Sequence, residues 1–511
     1  MNTRTRHTAA AALAVAALTT PLLLAGAGSA SAAPDPARKA AKLAEKLVDR
    51  SEGENAYETL EALQRFADRD GGTRVAGSKG HADSAGYIYE QAREAGLKVT
   101  KQEFEYPFTE TLAQTLKVLA PQSEDIPISA MTYSASGPDG GTTAEVAVVP
   151  VDDTTGCEAG DYAAGAFGGK IALIRRGGCT FAAKQAAAAG AGAVGAIIYN
   201  NADGDLGGTL GSPAEARIPT GGVSKARGET LVARVAGGPV SVNLDIRTHT
   251  ETRKTWNVIA ETKGGDPDNT VFIGAHLDSV LAGPGINDNG SGSAGILEVA
   301  RNLGEREVKN KVKFAWWSAE EYGLLGSEAY VASLSEAERK KIRLYLNFDM
   351  IASPNSVQFV YDGDDSDHAG SGPGPAGSAQ LERQINRYLD GRGAPHEGAD
   401  FTGRSDYGPF IKAGIPAGGT ATGAEGIKTA AQAATYGGTA GVAYDKCYHQ
   451  ACDDLDNLDI DAFELNIDVI ANAVGAYAWD LSSLSAPVTP ENTGGSAGGG
   501  GGLHDDHELT R

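Results

Sequence analysis

Apolar and polar positions change rhythm three times along this chain. Between Asn55 and Tyr106, in NAYETLEALQRFADRDGGTRVAGSKGHADSAGYIYEQAREAGLKVTKQEFEY, apolar residues recur every three or four positions, which predicts two helices followed by a strand. From about Val118 to Thr250 the pattern shortens. There GKIALIRRGGCTFAAKQAAAAGAGAVGAIIYNN reads as strand, cysteine-containing turn, alanine-rich helix and strand. From about Trp256 onward, short apolar runs alternate with helical segments, the mark of a largely parallel sheet with helices on its faces. A charged, alanine- and lysine-rich stretch from Arg38 to Arg50 precedes all this. A Pro/Gly/Ser-rich tail, APVTPENTGGSAGGGGGLHDDHELTR, follows it and reads as disordered, with its HDDH solvated.

Several apolar runs end on side chains that carry chemistry. TVFIGAHLDS closes on His276 and Asp278, KVKFAWWSAEE on Glu320 and Glu321, and RLYLNFDMI carries Asp349 near its end. A Glu-Glu pair alone reads as a helix start, where acidic groups favour the positive end of the dipole. Three strands delivering His or carboxylate to one rim of a parallel sheet, where sites gather, overturn that reading. GPGINDNGSGSAGILEVARNL adds Asp288 in a turn before a helix, and DKCYHQACDD adds His449 between Cys447 and Cys452. A short disulfide loop would fix the backbone around that histidine, as a metal ligand requires. Asp288, Glu321 and Asp349 are three negative charges beside two neutral imidazoles. Two divalent cations and one hydroxide neutralise that set, whereas one cation leaves it negative. Nitrogen and oxygen donors without thiolate point to zinc, ahead of cobalt or manganese.

Length and charge narrow the setting. At 511 residues two folded units with flexible ends are expected. The 44 basic against 66 acidic residues, a formal −22, exclude nucleic acid as a partner. Arg4 and Arg6 precede an apolar run from Ala9 to Ala25, and Ala30 and Ala32 form an A-x-A site. Residues 1–32 therefore read as a cleaved export signal rather than a membrane anchor, and the protein as secreted and extracellular. No later stretch is apolar enough to span a bilayer. In an oxidising compartment the four cysteines are most economically two local pairs, Cys157 with Cys179 and Cys447 with Cys452. A zinc–thiolate site is the competing reading, without any C-x-x-C spacing in its favour.

Two resemblances sharpen these expectations. Gly169–Ile174, Arg176-Gly177, Cys179-Thr180-Phe181, Lys184, Ala189-Gly190-Ala191 and Ile197–Asn200 resemble the protease-associated (PA) domain. This segment has no cluster of His and carboxylates, so its expected role is to cover or restrict access to a neighbouring site. The strings GAHLDS, GPGINDNGSG, WWSAEEYGLLGS, NFDMI, FTGRSDYGPF, GIPAGG and CYHQACDD resemble the M28 family of co-catalytic dizinc aminopeptidases. The likeness is especially close to the secreted bacterial leucine aminopeptidases. It implies an α/β fold, with a mostly parallel central sheet flanked by helices and an inserted small β-rich α+β PA domain. The expected layout is a signal peptide at 1–32, a propeptide or N-terminal segment at 33–54, and a catalytic domain at 55–117 and 252–484. The insert occupies 118–251 and the tail 485–511.

The resemblance also implies roles. His276 and Asp349 would hold one Zn2+, Glu321 and His449 the second, with Asp288 bridging and the Asp288–Asn289 peptide cis. Asp278 would orient His276, Glu320 would act as general base, and Tyr448 would donate to the oxyanion. Glu320, Asp349 and the loop around Arg404 would place the free α-ammonium of a peptide, favouring leucine-like N-terminal residues. A carboxypeptidase would need cationic clamps, for which only Arg404 and Arg392 offer themselves. The other alternative is a non-catalytic, receptor-like binding protein, marked by loss of ligands that this chain retains. Glutaminyl cyclisation on one zinc fits the ligand set less well. The family's aromatic after GIPAGG is replaced by Thr420-Ala421. A Ca2+ site in the acidic stretch Asp453-Asp454-Leu455-Asp456, with Asp459 and Asp461, lacks a loop pattern, so a solvated acidic surface is expected there. A monomer is expected.

Overall fold

The computed structural model describes residues 35–487 except 203, 367, 369 and 371. The signal-peptide reading, the HDDH motif and nearly all of the Gly-rich tail lie outside the described residues. Among those described, no helix is long and apolar enough to cross a membrane.

The apolar runs of the second half become the spine of the sheet. Asp266–His276 lies between Asn310–Trp317 and Ile342–Phe348, parallel to both, and Ile342–Phe348 runs parallel to Ala417–Ala421. Val271, Phe272, Ile273 and Ala275 are all buried, because helices cover both faces and leave no solvent side to alternate with. One face packs on Pro36–Val48, Gly53–Asp68, Lys79–Glu94, Gly292–Leu303 and Ile460–Tyr477 through Leu60, Ile88, Ile296 and Ile470. The other face builds an aromatic core from Phe272, Trp317, Tyr345 and Phe410, with the Tyr345 and Phe410 rings stacked at 3.8 Å. Gly274 makes that stack possible, since a Cβ there would meet the Tyr345 hydroxyl at 2.3 Å.

The insert grows out of the sheet's antiparallel edge. Lys98–Ala120 and Ser241–Glu261 pair along their whole lengths, from Lys98 opposite Glu261 to Ala120 opposite Ser241. The sequence-based boundaries at 118 and 251 thus fall within strands, because one ribbon serves both units. Beyond it, Thr142–Val148, Ile171–Arg175, Gly195–Tyr199 and Thr220–Val223 run parallel, and Ser129–Ala130 adds an antiparallel edge. The alanine-rich helix is Phe181–Gly190, capped by Thr180. All four cysteines are paired, Cys157 with Cys179 and Cys447 with Cys452.

Within the expected propeptide or N-terminal segment, residues 36–48 form a helix packed on the catalytic domain. Helix Pro36–Val48 buries Ala40, Leu43, Ala44 and Leu47, and the last of these joins the core under the sheet. It packs so closely on Ile460–Tyr477 that a Cβ at Gly475 would meet Ala44 Cα at 2.3 Å. Its alanines and lysines leave only a narrow apolar stripe, and that stripe packs into the core. Gly475→Val is expected to lower stability by about 1–3 kcal/mol through overpacking. Urea unfolding checks this; an unchanged midpoint would show that the two helices are not held together at this point.

Candidate metal centre and active-site cleft

Parallel strands fix most of the site by where they end. His276 closes its strand, Glu320 and Glu321 stand three and four residues beyond Trp317, and Asp349 follows Phe348. Asp288 enters from Ile286–Ser291, the segment leading into helix Gly292–Leu303, and its peptide bond to Asn289 is cis. Tyr448 and His449 come from the loop closed by Cys447 and Cys452. All of them line one cleft.

The distances group the ligating atoms around Asp288. Its Oδ1 lies 3.2 Å from His276 Nε2 and its Oδ2 lies 3.1 Å from His449 Nε2. On the first side, Asp349 Oδ1 is 3.4 Å and Glu320 Oε2 is 3.8 Å from His276 Nε2. On the second side, Glu321 Oε2 is 3.1 Å from His449 Nε2. Burial pushes the Asp288 carboxyl up, but the hydrogen bonds from both imidazoles outweigh it and hold the group below the usual range. Burial drives Glu320 well above it, with His276 opposing.

These residues fit a divalent metal. Glu321 Oε1 and Asp349 Oδ1 are buried without any hydrogen-bond partner, a costly state for carboxylate oxygen unless a cation lies against it. His276, Asp288 and Glu321, and separately His276, Glu320 and Asp349, bring one donor atom each within 4.8 Å of one another. Nitrogen and oxygen donors without sulfur match zinc-type chemistry.

Around this centre the structure refines three expectations. The His276 Nδ1 lies 3.1 Å from the main-chain carbonyl of Asp278, closer than the Asp278 carboxylate at 3.8 Å, whose Oδ1 instead accepts from the Glu320 N–H. Arg404 is not a free clamp: it donates to Glu425 at 2.7 Å and to the Tyr448 hydroxyl at 3.1 Å. Arg392 pairs with Asp468 at 2.6 Å and lies outside the cleft lining. Asp453 departs from the solvated acidic surface expected for its stretch. It is 1 % exposed, because its two oxygens accept the backbone N–H groups of Asn287 and Asp288 at 2.8 and 3.0 Å.

Several supporting residues escaped the sequence reading. Asp445 accepts from the Asn287 amide and from Cys447 N–H, both at 2.7 Å, tying the Asp288 segment to the disulfide loop. Ser405 donates to Asp349 at 2.5 Å and accepts from Asn347, whose oxygen takes the Tyr345 hydroxyl. Arg74, fully buried, donates to the carbonyls of Leu277, Pro284 and Gly285 and so clamps both ends of the loop between His276 and Asp288. Burial lowers its pKa to about 10, and the nearby Asp278, Asp453, Asp288 and Glu321 favour its charge. In GGTRVAGSKG nothing marks that arginine except a basic residue inside a turn.

A carboxylate shared by two imidazoles, on the carboxyl rim of an α/β sheet and open to a cleft, has the donor set of a metal centre. Comparisons narrow the class. A profile of Peptidase family M28 matches residues 257–474, and a PA domain profile matches 142–231. Leucine aminopeptidase 2 of Arthroderma otae is 47 % identical over 418 residues, 82 % of each chain. The probable leucine aminopeptidase 2 of Aspergillus fumigatus is 48 % identical over 415 residues, 80 % of each chain. Among solved structures, an aminopeptidase from Aneurinibacillus sp. strain AM-1 superposes with a TM-score of 0.69 at 30 % identity, covering 84 % of this chain and 95 % of that one. A zinc aminopeptidase from Bacillus subtilis gives 0.59 at 27 % identity, covering 83 % and 94 %. The chain belongs to peptidase family M28.

Arg74→Met is expected to cost about 3 kcal/mol or more, because three buried carbonyls lose their donor at once. Chemical denaturation reads this directly; a loss below about 1 kcal/mol would mean that solvent replaces the guanidinium.

Proposed function

We propose that this protein is a secreted, monomeric metallo-aminopeptidase that removes leucine-like N-terminal residues from peptides at a centre of two zinc ions. The observation that carries the reading is Asp288, which addresses one imidazole with each of its two oxygens. His276 and Asp349 would hold one ion, His449 and Glu321 the other, and Asp288 both. Bound zinc would polarise the scissile carbonyl and acidify water.

The chain's own residues would do the rest. Glu320, 9 % exposed and facing the same imidazole as Asp349, takes a proton from the attacking water and passes it to the leaving amine. The Tyr448 hydroxyl, held by the Arg404 guanidinium, donates to the developing oxyanion. Asp278 fixes Glu320 through its backbone N–H. The free α-ammonium of the substrate sits against Glu320 and Asp349. Arg404 contributes by holding Tyr448 rather than by touching substrate.

The end of the peptide that is cut follows from charge. Among the described residues lining the cleft, Arg404 is the one Lys or Arg, and Glu425 neutralises it. A terminal carboxylate therefore finds no free cation, whereas an ammonium finds carboxylates. Met350, Tyr361, Ala421 and Ala424 give the cleft an apolar wall. Thr420 donates to Asn466, and Ala421 lines the cleft with only a methyl group. A leucine side chain fits this wall, and a larger apolar one is not blocked by Ala421.

Hydrolysis of leucine p-nitroanilide beside its N-acetylated counterpart tests the proposal. Cleavage of the free amine alone, abolished by a zinc chelator and restored by zinc, is the expected result. Equal cleavage of the blocked substrate would overturn the ammonium argument. Glu320→Gln is expected to lower kcat by about 10²–10⁴-fold with little change in zinc content.

A further inference from the structure

A tyrosine of the PA insert, Tyr133, hydrogen-bonds to the catalytic turn. Tyr133 belongs to the insert: Met131, two residues earlier, takes its backbone partner from Thr220, and the Tyr133 ring packs in the insert's core with Met131 and Tyr162. Its hydroxyl nevertheless reaches out of that core. It donates in a three-centre bond to the carbonyl of Pro107, on the ribbon, at 3.2 Å and to the carbonyl of Tyr322 at 3.3 Å. Tyr322 directly follows Glu320 and Glu321 in sequence. Its ring lies between Tyr106 and Phe108, both on Lys98–Ala120, with centroids 5.4 and 5.3 Å away. Tyr106 in turn donates to Ala76 at 2.7 Å, and the Arg253 guanidinium lies over Phe108.

The turn held in this way is one that does not hold itself easily. Ala319 and Leu324 flank the glutamates, and both have left-handed backbones, φ 58° and 64°, without being glycine. Such residues persist where surrounding structure over-determines them. Inside the turn, Gly323 and Leu324 donate to the Glu320 carbonyl and Leu325 to that of Ala319. From outside, Ala319 is sealed in a small core made by Tyr106, Phe108 and Val75. The Tyr322 carbonyl, facing the insert, is tied by Tyr133.

We infer that the PA insert acts on catalysis as a buttress, with Tyr133 as a positioning residue that holds the Ser318–Leu325 turn and thereby sets Glu320 and Glu321. The inference rests on the aminopeptidase reading for its kinetic consequence, but not for the contact itself. It assigns the insert a mechanical role beside any control of access.

Tyr133→Phe removes the hydroxyl and keeps the ring in the insert's core. Tyr162→Phe is the matched control, since its hydroxyl also bonds two carbonyls, Gly156 and Lys184, but wholly inside the insert. In Tyr133→Phe, hydrogen exchange at the amides of Gly323, Leu324 and Leu325 is expected to quicken. On leucine p-nitroanilide its kcat is expected to fall about ten-fold with KM nearly unchanged, short of the roughly 10²-fold that an ångström of misplacement costs. Tyr162→Phe is expected to move neither. Unchanged exchange in Tyr133→Phe would overturn the contact, and faster exchange with unaltered kcat would overturn the positioning role. An equal loss of kcat in Tyr162→Phe would also overturn it, by tracing the effect to general loosening of the insert. A parent enzyme inactive on this substrate would count against the aminopeptidase reading alone, and the exchange result would still decide the contact.

Discussion

The carboxylate of Asp288 meets an imidazole with each oxygen, and much of the surrounding polar structure exists to keep it there. Four further carboxylates, Asp278, Glu320, Glu321 and Asp349, crowd into the same buried rim. Like charges at such spacing repel strongly in a poorly solvated interior. Cations must offset them. Arg74 supplies a permanent one from beneath, and the unpartnered oxygens of Glu321 and Asp349 mark where divalent ions would supply the rest. A metal-free site is thus electrostatically unfinished, which is a physical reason for its affinity for metal.

Backbone hydrogen bonds give the same centre its shape. Asp453 receives the N–H of Asp288 itself, and Asp445 joins the Asn287 side chain to the N–H of Cys447. The segment that presents the bridging carboxylate and the loop that presents His449 are therefore one hydrogen-bonded unit, although 161 residues separate Asp288 from His449 in sequence. The disulfide between Cys447 and Cys452 closes the loop at its base. Ser405 performs a comparable service for Asp349, drawing on a chain that runs back through Asn347 and Tyr345 to the Trp317 indole. Rigid elements, rather than loops free to wander, set the ligand positions.

The continuous ribbon Lys98–Ala120 with Ser241–Glu261 makes the insert an extension of the catalytic sheet. An insert joined by flexible linkers could only cover a site. One that shares strands with the sheet can also bear on the turn after Trp317, as Tyr133 and the Tyr106–Phe108 pair do on Tyr322. The electrostatics of the cleft and the geometry of the turn then belong to one mechanical body.

The sequence by itself determined the strands and what stands at their ends. Buried parallel strands are written as unbroken apolar runs, so TVFIGAHLDS, KVKFAWWSAEE and RLYLNFDMI disclosed both the sheet and its reactive rim. Asp288, His449 and the two cysteine pairs were equally legible, since turn residues and cysteines are local signals. Tertiary structure decided the partners. Whether Arg404 is a clamp depends on Glu425, twenty-one residues away, and whether Asp453 is solvated depends on a backbone 165 residues distant. Helix Pro36–Val48 looked dispensable until its narrow stripe met Gly475. Arg74 and Tyr133 carry no motif at all, because their roles lie in carbonyl groups they reach across the fold, and every residue type offers a carbonyl. Chemistry carried by side-chain identity is readable along a chain; chemistry carried by who faces whom appears only once the chain has folded.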